Sequence, residues 1–177
     1  MFDNFKEEIV APRSALIPSL LYVLAWVLLI VFGVIALFTF QLVFSMFSIG
    51  ALAMFAASAA IAIALFLFKD RLKVEYEYTF TNGTLDFARV MRNTSRKELG
   101  SMNVQNVLAC GHVAHDSFQR YLSMKNVEKK NWFLNRDGNL FYFYYEKNGD
   151  KHMIIIEPSE EMVAMIRSYV PVGVYQG

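Results

Sequence analysis

The sequence predicts an α+β membrane protein in which a two-helix transmembrane hairpin precedes a small antiparallel β-barrel or sandwich of about seven strands with a C-terminal capping helix. Three observations predict it. None of Asp, Glu, Lys or Arg occurs between Arg13 and Lys69. Beyond Lys73 the apolar runs give way to alternation, with Val74, Tyr76, Tyr78 and Phe80 against Glu75, Glu77 and Thr79. Turn dipeptides then recur at Asn82-Gly83, Asp137-Gly138 and Asn148-Gly149.

Residues 1–14 read as a short N-terminal segment on the cytoplasmic side. In MFDNFKEEIV, Phe2, Phe5 and Ile9 fall at helical spacing with Asp3, Lys6, Glu7 and Glu8 elsewhere on the turn, which describes either a short interfacial helix or a frayed terminus. Acidic residues at the start and the length of the apolar run that follows argue against a cleaved signal peptide.

Residues 15–68 form the hairpin. A hydrocarbon core about 30 Å thick takes about 20 apolar helical residues per crossing, so the uncharged block holds two crossings and a tight turn. The spans are expected over Ala15–Phe38 and Phe47–Phe68, with Thr39–Ser45 as a turn at the interface because Thr39, Gln41 and Ser45 are polar. Pro18 suits the start of a helix, where backbone donors lack intrahelical acceptors. Arg13 precedes the first span, Lys69, Arg71 and Lys73 follow the second, and the turn carries no basic residue, so both termini are expected in the cytoplasm of a two-span cell-membrane protein. Small residues Ala53, Ala57, Ala60 and Ala64 let a helix approach closely. The first span is the simplest occupant of that stripe; a second chain, in a homo-oligomer, is the other.

Residues 69–177 form the β domain. Asn82-Gly83 supplies the two positive φ angles of a type I′ hairpin turn between strands Lys73–Thr81 and Thr84–Arg92. Further strands are expected over Arg96–Met102, Gln105–Gly111, Val127–Leu134, NLFYFYYEK and DKHMIIIE, with a loop or short helix near Asp116–Met124. In EPSEEMVAMIRSYVP, Pro158 and the acidic pair Glu160 and Glu161 mark a helix start, Arg167 lies near its end, and Met162, Met165, Ile166 and Tyr169 share a face. Such a helix closes the open end of a curled sheet.

With those elements in place, VEYEYTFTNGTLDF and IIIEPSEEMVAMIRSYVP resemble a bacterial family that carries a membrane hairpin before a pleckstrin-homology-like (PH-like) domain. The resemblance covers essentially the whole chain. It implies architecture and topology, and because its motifs are structural it carries over no catalytic residue.

Chemistry is sparse. CGHVAHD places Cys110, His112, His115 and Asp116 together, all zinc-type ligands, but their spacing matches no standard pair of ligand knuckles. Packing of Cys110 at a strand end running into a polar loop is the preferred account, and a small metal-dependent enzyme using Cys110, His112 and His115 is the alternative. There is no G-x-S-x-G, no G-x-x-x-x-G-K-[ST] and no G-x-G-x-x-G, so no catalytic residue or cofactor is assigned. A single cysteine forms no internal disulfide. Net charge is only +1, which removes the global electrostatic argument for nucleic acid. Local clusters at Arg89, Arg92, Arg96 and Lys97 and at Lys125, Lys129 and Lys130 are candidates for touching lipid phosphates or a protein partner. Glu75 and Glu77 read as a solvated face. The aromatics of NLFYFYYEK leave both faces of their strand apolar, so one face awaits a helix, the membrane or a partner. These features favour a non-enzymatic interaction module at the inner leaflet, with membrane lipids and a protein as partners.

Overall fold

The computed structural model describes residues 4–92 and 95–177, so Phe2 and Asp3 lie outside the described residues. The chain forms two compact units, Ser14–Val74 and a second that joins the residues up to Arg13 to Glu75–Gly177.

The helical unit consists of α1 (Leu16–Ser45) and α2 (Ile49–Phe68), followed by a 3₁₀ turn over Lys69–Leu72. Both helices are long and apolar enough to cross a membrane. The segment Thr39–Ser45, expected as the turn, is helical instead. Its hydroxyls bond backward within the helix: Thr39 Oγ1 donates to the Ile35 carbonyl at 2.8 Å and Ser45 Oγ to that of Gln41 at 3.1 Å. Polar side chains satisfied in this way do not end a helix. The turn is Met46–Ser48, and Ser48 caps α2 by accepting from the Ala51 N–H at 3.1 Å.

The two helices meet along stripes spaced alternately four and three residues apart, Pro18, Tyr22, Ala25, Leu29, Phe32, Ala36, Thr39 and Val43 against Ala51, Phe55, Ser58, Ala62, Leu65 and Lys69, all buried or half-buried. This spacing is that of ridges-into-grooves packing at a shallow crossing angle. Ala53, Ala57, Ala60 and Ala64 are all exposed, so the first span does not cover the stripe assigned to it.

Among the described residues the β unit has nine strands rather than about seven. In place of the short interfacial helix or frayed terminus expected there, β1 (Phe5–Val10) pairs antiparallel with β2 (Val74–Thr81), from Phe5 opposite Thr81 to Val10 opposite Tyr76. Edge pairing supplies hydrogen-bond partners that an isolated amphipathic turn lacks, and it overrides the helical spacing. The helical unit is therefore an insertion between two neighbouring strands of one sheet.

That sheet continues through β3 (Thr84–Met91) to β4 (Ser95–Asn103), in the order β1-β2-β3-β4. Asn82 (φ 49°) and Gly83 (φ 91°) make the expected turn. A bulge leaves Leu99 unpaired, because Phe87 pairs with Gly100 and Ala88 with Glu98.

The second sheet contains β5 (Ala109–His112), β6 (Val127–Trp132), β7 (Phe141–Lys147), β8 (Asp150–Ile156) and β9 (Tyr175–Gln176), in the order β6-β8-β7-β5-β9. Two of its pairings, β6 with β8 and β5 with β9, are parallel, which corrects the all-antiparallel expectation. Nor do the two sheets close into a barrel: β1, β4, β6 and β9 end them. Strand β5 is shorter than expected because Val104–Asn106 forms a 3₁₀ turn. Asp137-Gly138 turns the chain without joining adjacent strands, since β8 lies between β6 and β7.

Alternation on the second sheet feeds two cores. Phe141, Phe143, Ile154, Ile156 and Cys110 join Tyr78, Phe80, Leu85 and Phe87 of the first sheet and Met162, Val163 and Ile166 of α4 (Glu160–Tyr169). Tyr142, Tyr144, Met153 and Ile155 point the other way, onto Phe118 with Tyr121 and Leu122 of α3 (Ser117–Leu122). The second apolar face of NLFYFYYEK is thus covered from within the chain.

Residues 4–13 are built into this unit. Glu8 accepts from the Ser159 N–H at 2.9 Å and from the Ser159 hydroxyl, while Ser159 Oγ caps α4 at the Met162 N–H. Asn135 holds the next residues, its Nδ2 donating to the Ala11 carbonyl at 3.1 Å and its Oδ1 accepting from the Arg13 N–H at 2.8 Å.

Candidate interaction surfaces

Strand alternation splits the first basic cluster. Val90 stands opposite Arg96 and Arg89 opposite Lys97, so Arg96 and Lys97 project from opposite faces of β4. Arg96 reaches Glu77, with Nε 3.1 Å from both carboxylate oxygens and Nη2 2.5 Å from Oε1. Hydrogen bonding to Glu77 raises the Arg96 pKa. Glu77, expected on a solvated face, is only 9% exposed beneath that guanidinium. Arg89 keeps a buried Nε with no hydrogen-bond partner among the described residues, while Lys97 is exposed. Arg92 is exposed at the end of β3 with φ 49°.

The second cluster divides in the same way. Lys129 lies on the α3 side, its Nζ 2.8 Å from the Leu122 carbonyl, and Lys125 is exposed in the preceding loop. Lys130 turns to the opposite face, 3.5 Å from Glu128.

CGHVAHD is distributed over separate surroundings. Cys110 is fully buried in the core between the sheets, and burial pushes its thiol up to about 12. A thiol held protonated is neither a nucleophile nor a ready metal ligand. His112 Nδ1 lies 2.9 Å from Asn139 Oδ1, whereas His115 Nδ1 lies 2.8 Å from Ser117 Oγ, which in turn is 3.0 Å from the Tyr142 hydroxyl. Asp116 precedes α3 and is exposed. Among the described residues no three His, Cys, Asp or Glu side chains gather as a metal site. Between β5 and β9 there is no spare room either: a Cβ on Gly111 would sit 2.2 Å from the Gln176 carbonyl oxygen.

A surface that the sequence did not announce runs beside the free edge of β4. Where the bulge opens the first sheet, Thr79, Asp86, Arg96, Glu98 and Ser101 line a groove of about 390 Å³. Past Ser101 a second groove of about 240 Å³ continues between Asn103, Asn106, Tyr145 and Lys147. Between the two sheets a cleft of about 100 Å³ brings Lys130, Lys147 and His152 toward Ser101 and Tyr145. His152 stacks on Tyr145 at 5.2 Å, with Nδ1 2.8 Å from Glu128. The second groove and the cleft join β4 to strands distant in sequence, so no local motif encodes them.

The buried Tyr78 hydroxyl donates to the Trp132 carbonyl and accepts from the Glu157 N–H at 3.3 Å, and its burial raises its pKa. Burial likewise raises Tyr142 and Tyr145.

The family described as bacterial PH-like domain (DUF6106) matches residues 2–176, and the chain belongs to it. No curated protein and no solved structure matches.

Proposed function

We propose that the chain is a membrane-anchored, non-enzymatic interaction module: α1 and α2 cross the cell membrane and hold the PH-like unit at its cytoplasmic face, where the β4 edge receives a protein segment or a lipid headgroup. One observation carries the reading. The helical unit is inserted between two hydrogen-bonded neighbours, with Val10 opposite Tyr76, so both of its ends are tied to one side. Two crossings satisfy that constraint and one does not.

Charge and aromatic placement supports the same topology. At the open end of the hairpin Lys69 lies over Phe66 (4.1 Å) and Trp26 (5.4 Å), Arg71 over Phe68 (4.5 Å) and Lys73 over Tyr22 (4.9 Å). Basic and aromatic residues of this kind mark the membrane–water interface, and their basic excess marks the cytoplasmic side. Tethering raises the effective concentration of the PH-like unit at that surface without any new contact. Where the exposed Lys97 meets an anionic leaflet it adds about 1 kcal/mol.

A photo-crosslinker at Ser101 tests the module in native membranes. One discrete adduct that disappears when Ser14–Lys73 is replaced by a short turn is the expected result. No adduct, or the same adduct from the unanchored chain, contradicts the reading.

The exposed stripe of Ala53, Ala57, Ala60 and Ala64 favours a second reading, a homo-oligomer in the membrane. Disulfide formation by Ala57→Cys in membranes tests it, and a monomer under oxidation counts against it.

A further inference from the structure

We infer that the helical unit carries a binding groove for one acyl chain of an anionic phospholipid, with the phosphate held by Arg71. The inference rests on the membrane reading above.

Its geometry is specific to one end of the hairpin. Ala25 of α1 and Ile61, Ala64, Leu65 and Phe68 of α2, with Leu72 and the stem of Lys69, line an open groove of about 360 Å³. That volume falls in the ordinary range of ligand sites. No polar surface lines it. The notch exists because Ala25, on the α1 stripe, and Ala64, beside Leu65 on α2, are small.

Length identifies the occupant. From Ile61 to Leu72 the chain rises about 16 Å at about 1.5 Å per residue. Half of a hydrocarbon core about 30 Å thick is about 15 Å, the depth of one leaflet. The groove therefore runs from the charged end of the hairpin to the bilayer midplane. A packing helix from a second copy would follow the whole of α2, whereas a lipid tail ends where the groove ends.

Charge identifies the headgroup. Arg71 is exposed and stacks 4.5 Å over Phe68, itself a wall of the groove. A guanidinium in that place offers paired donors to a phosphate at the interface. Lys69 directs its ammonium elsewhere, 3.0 Å from the Phe66 carbonyl, and contributes only its stem.

The test is native mass spectrometry of the full chain in mild detergent, supplied with phosphatidylglycerol or phosphatidylcholine. One retained phosphatidylglycerol per chain is expected, at about tenfold the occupancy of phosphatidylcholine. Ala64→Phe fills the groove and removes the adduct; Ala53→Phe, outside the groove, keeps it. Arg71→Gln keeps an adduct and erases the preference between the two lipids. An unmodified chain without lipid, equal retention of both lipids, an adduct surviving Ala64→Phe, or a dimer in place of the adduct overturns the inference. If the chain needs no detergent to stay dispersed, the membrane reading itself fails; if it is membrane-integral but retains no lipid, only the groove assignment does.

Discussion

In the helical unit the exposed side chains include Leu16, Leu37, Phe44 and Ile49, while the buried ones are Ala25, Thr39, Ser58 and Lys69 among the described residues. In the β unit the buried set is Tyr78, Phe80, Leu85, Phe141, Phe143 and Ile156, and charged residues lie mostly outside. One chain thus follows two opposite sorting rules. Apolar groups avoid water in the β unit, where burial of each large side chain contributes about 1.5–3 kcal/mol. Between the helices the buried positions are instead Ala25, Thr39, Ser58 and Lys69, with both hydroxyls bonded within their own helices. The contrast agrees with the membrane-anchored reading proposed above.

Breaking the β side of that contrast should have the largest effect. Phe143→Ala leaves a cavity in the core between the sheets and is expected to cost about 3–5 kcal/mol. Urea denaturation followed by near-ultraviolet circular dichroism measures it, while carbonate extraction should still find the helices in the membrane. Simultaneous loss of both would show that the units are not independent.

Next in size is Glu8→Ala, which removes the acceptor for Ser159 N–H and Oγ at the start of α4. Hydrogen bonds to a charged group contribute about 1.5–3 kcal/mol, so a loss of about 2 kcal/mol is expected. An unchanged denaturation midpoint would mean that β1 is not integral to the unit. A fragment beginning at Leu72 lacks β1 altogether and should be less stable than a fusion of residues 4–13 to 74–177.

Alkaline titration sharpens the comparison further. Burial raises Cys110 to about 12 from an ordinary value of 9.0, so between those values the folded state holds a proton that the unfolded state has released. Stability is fully present below about pH 9 and falls as pH rises, by at most about 1.4 kcal/mol per pH unit for one group. Tyr78, Tyr142 and Tyr145 are shifted in the same direction and add to the fall at higher pH. Cys110→Ala should flatten the first part of the curve, and thiol reagents near neutrality should label Cys110 only after unfolding.

The smallest effect belongs to the helical unit. Ser58 Oγ donates to the Met54 carbonyl of its own helix at 2.8 Å, so Ser58→Ala leaves no acceptor unpaired across the interface. A change within about 0.5 kcal/mol is expected in detergent unfolding. A loss several times larger would reveal an interhelical role.

Legibility followed the same division. The uncharged block, the alternation of β2, the Asn82-Gly83 turn and the C-terminal helix were readable because each is a local pattern with a local cause. Strand β1 was not: FKEEIV has helical spacing, and only a partner about 70 residues away makes it extended. β9, two residues long, gives no periodic signal. The end of α1 was misplaced because Thr39 and Ser45 look like turn residues until their hydroxyls are seen bonded to the preceding turn. Of the candidate sites, the basic residues were visible as clusters in sequence, but strand alternation sends Arg96 and Lys97 to opposite faces. The grooves beside β4 depend on a bulge and an open seam that composition does not record.

The most direct test of the account places single cysteines at Phe47, in the turn between α1 and α2, and at Lys125, in the β unit, in a Cys110→Ala chain in intact cells. A membrane-impermeant thiol reagent should label Phe47→Cys from outside and Lys125→Cys only after permeabilisation. Labelling of both from outside, of neither until permeabilisation, or of Lys125→Cys alone would contradict a hairpin that crosses twice and returns to the cytoplasm.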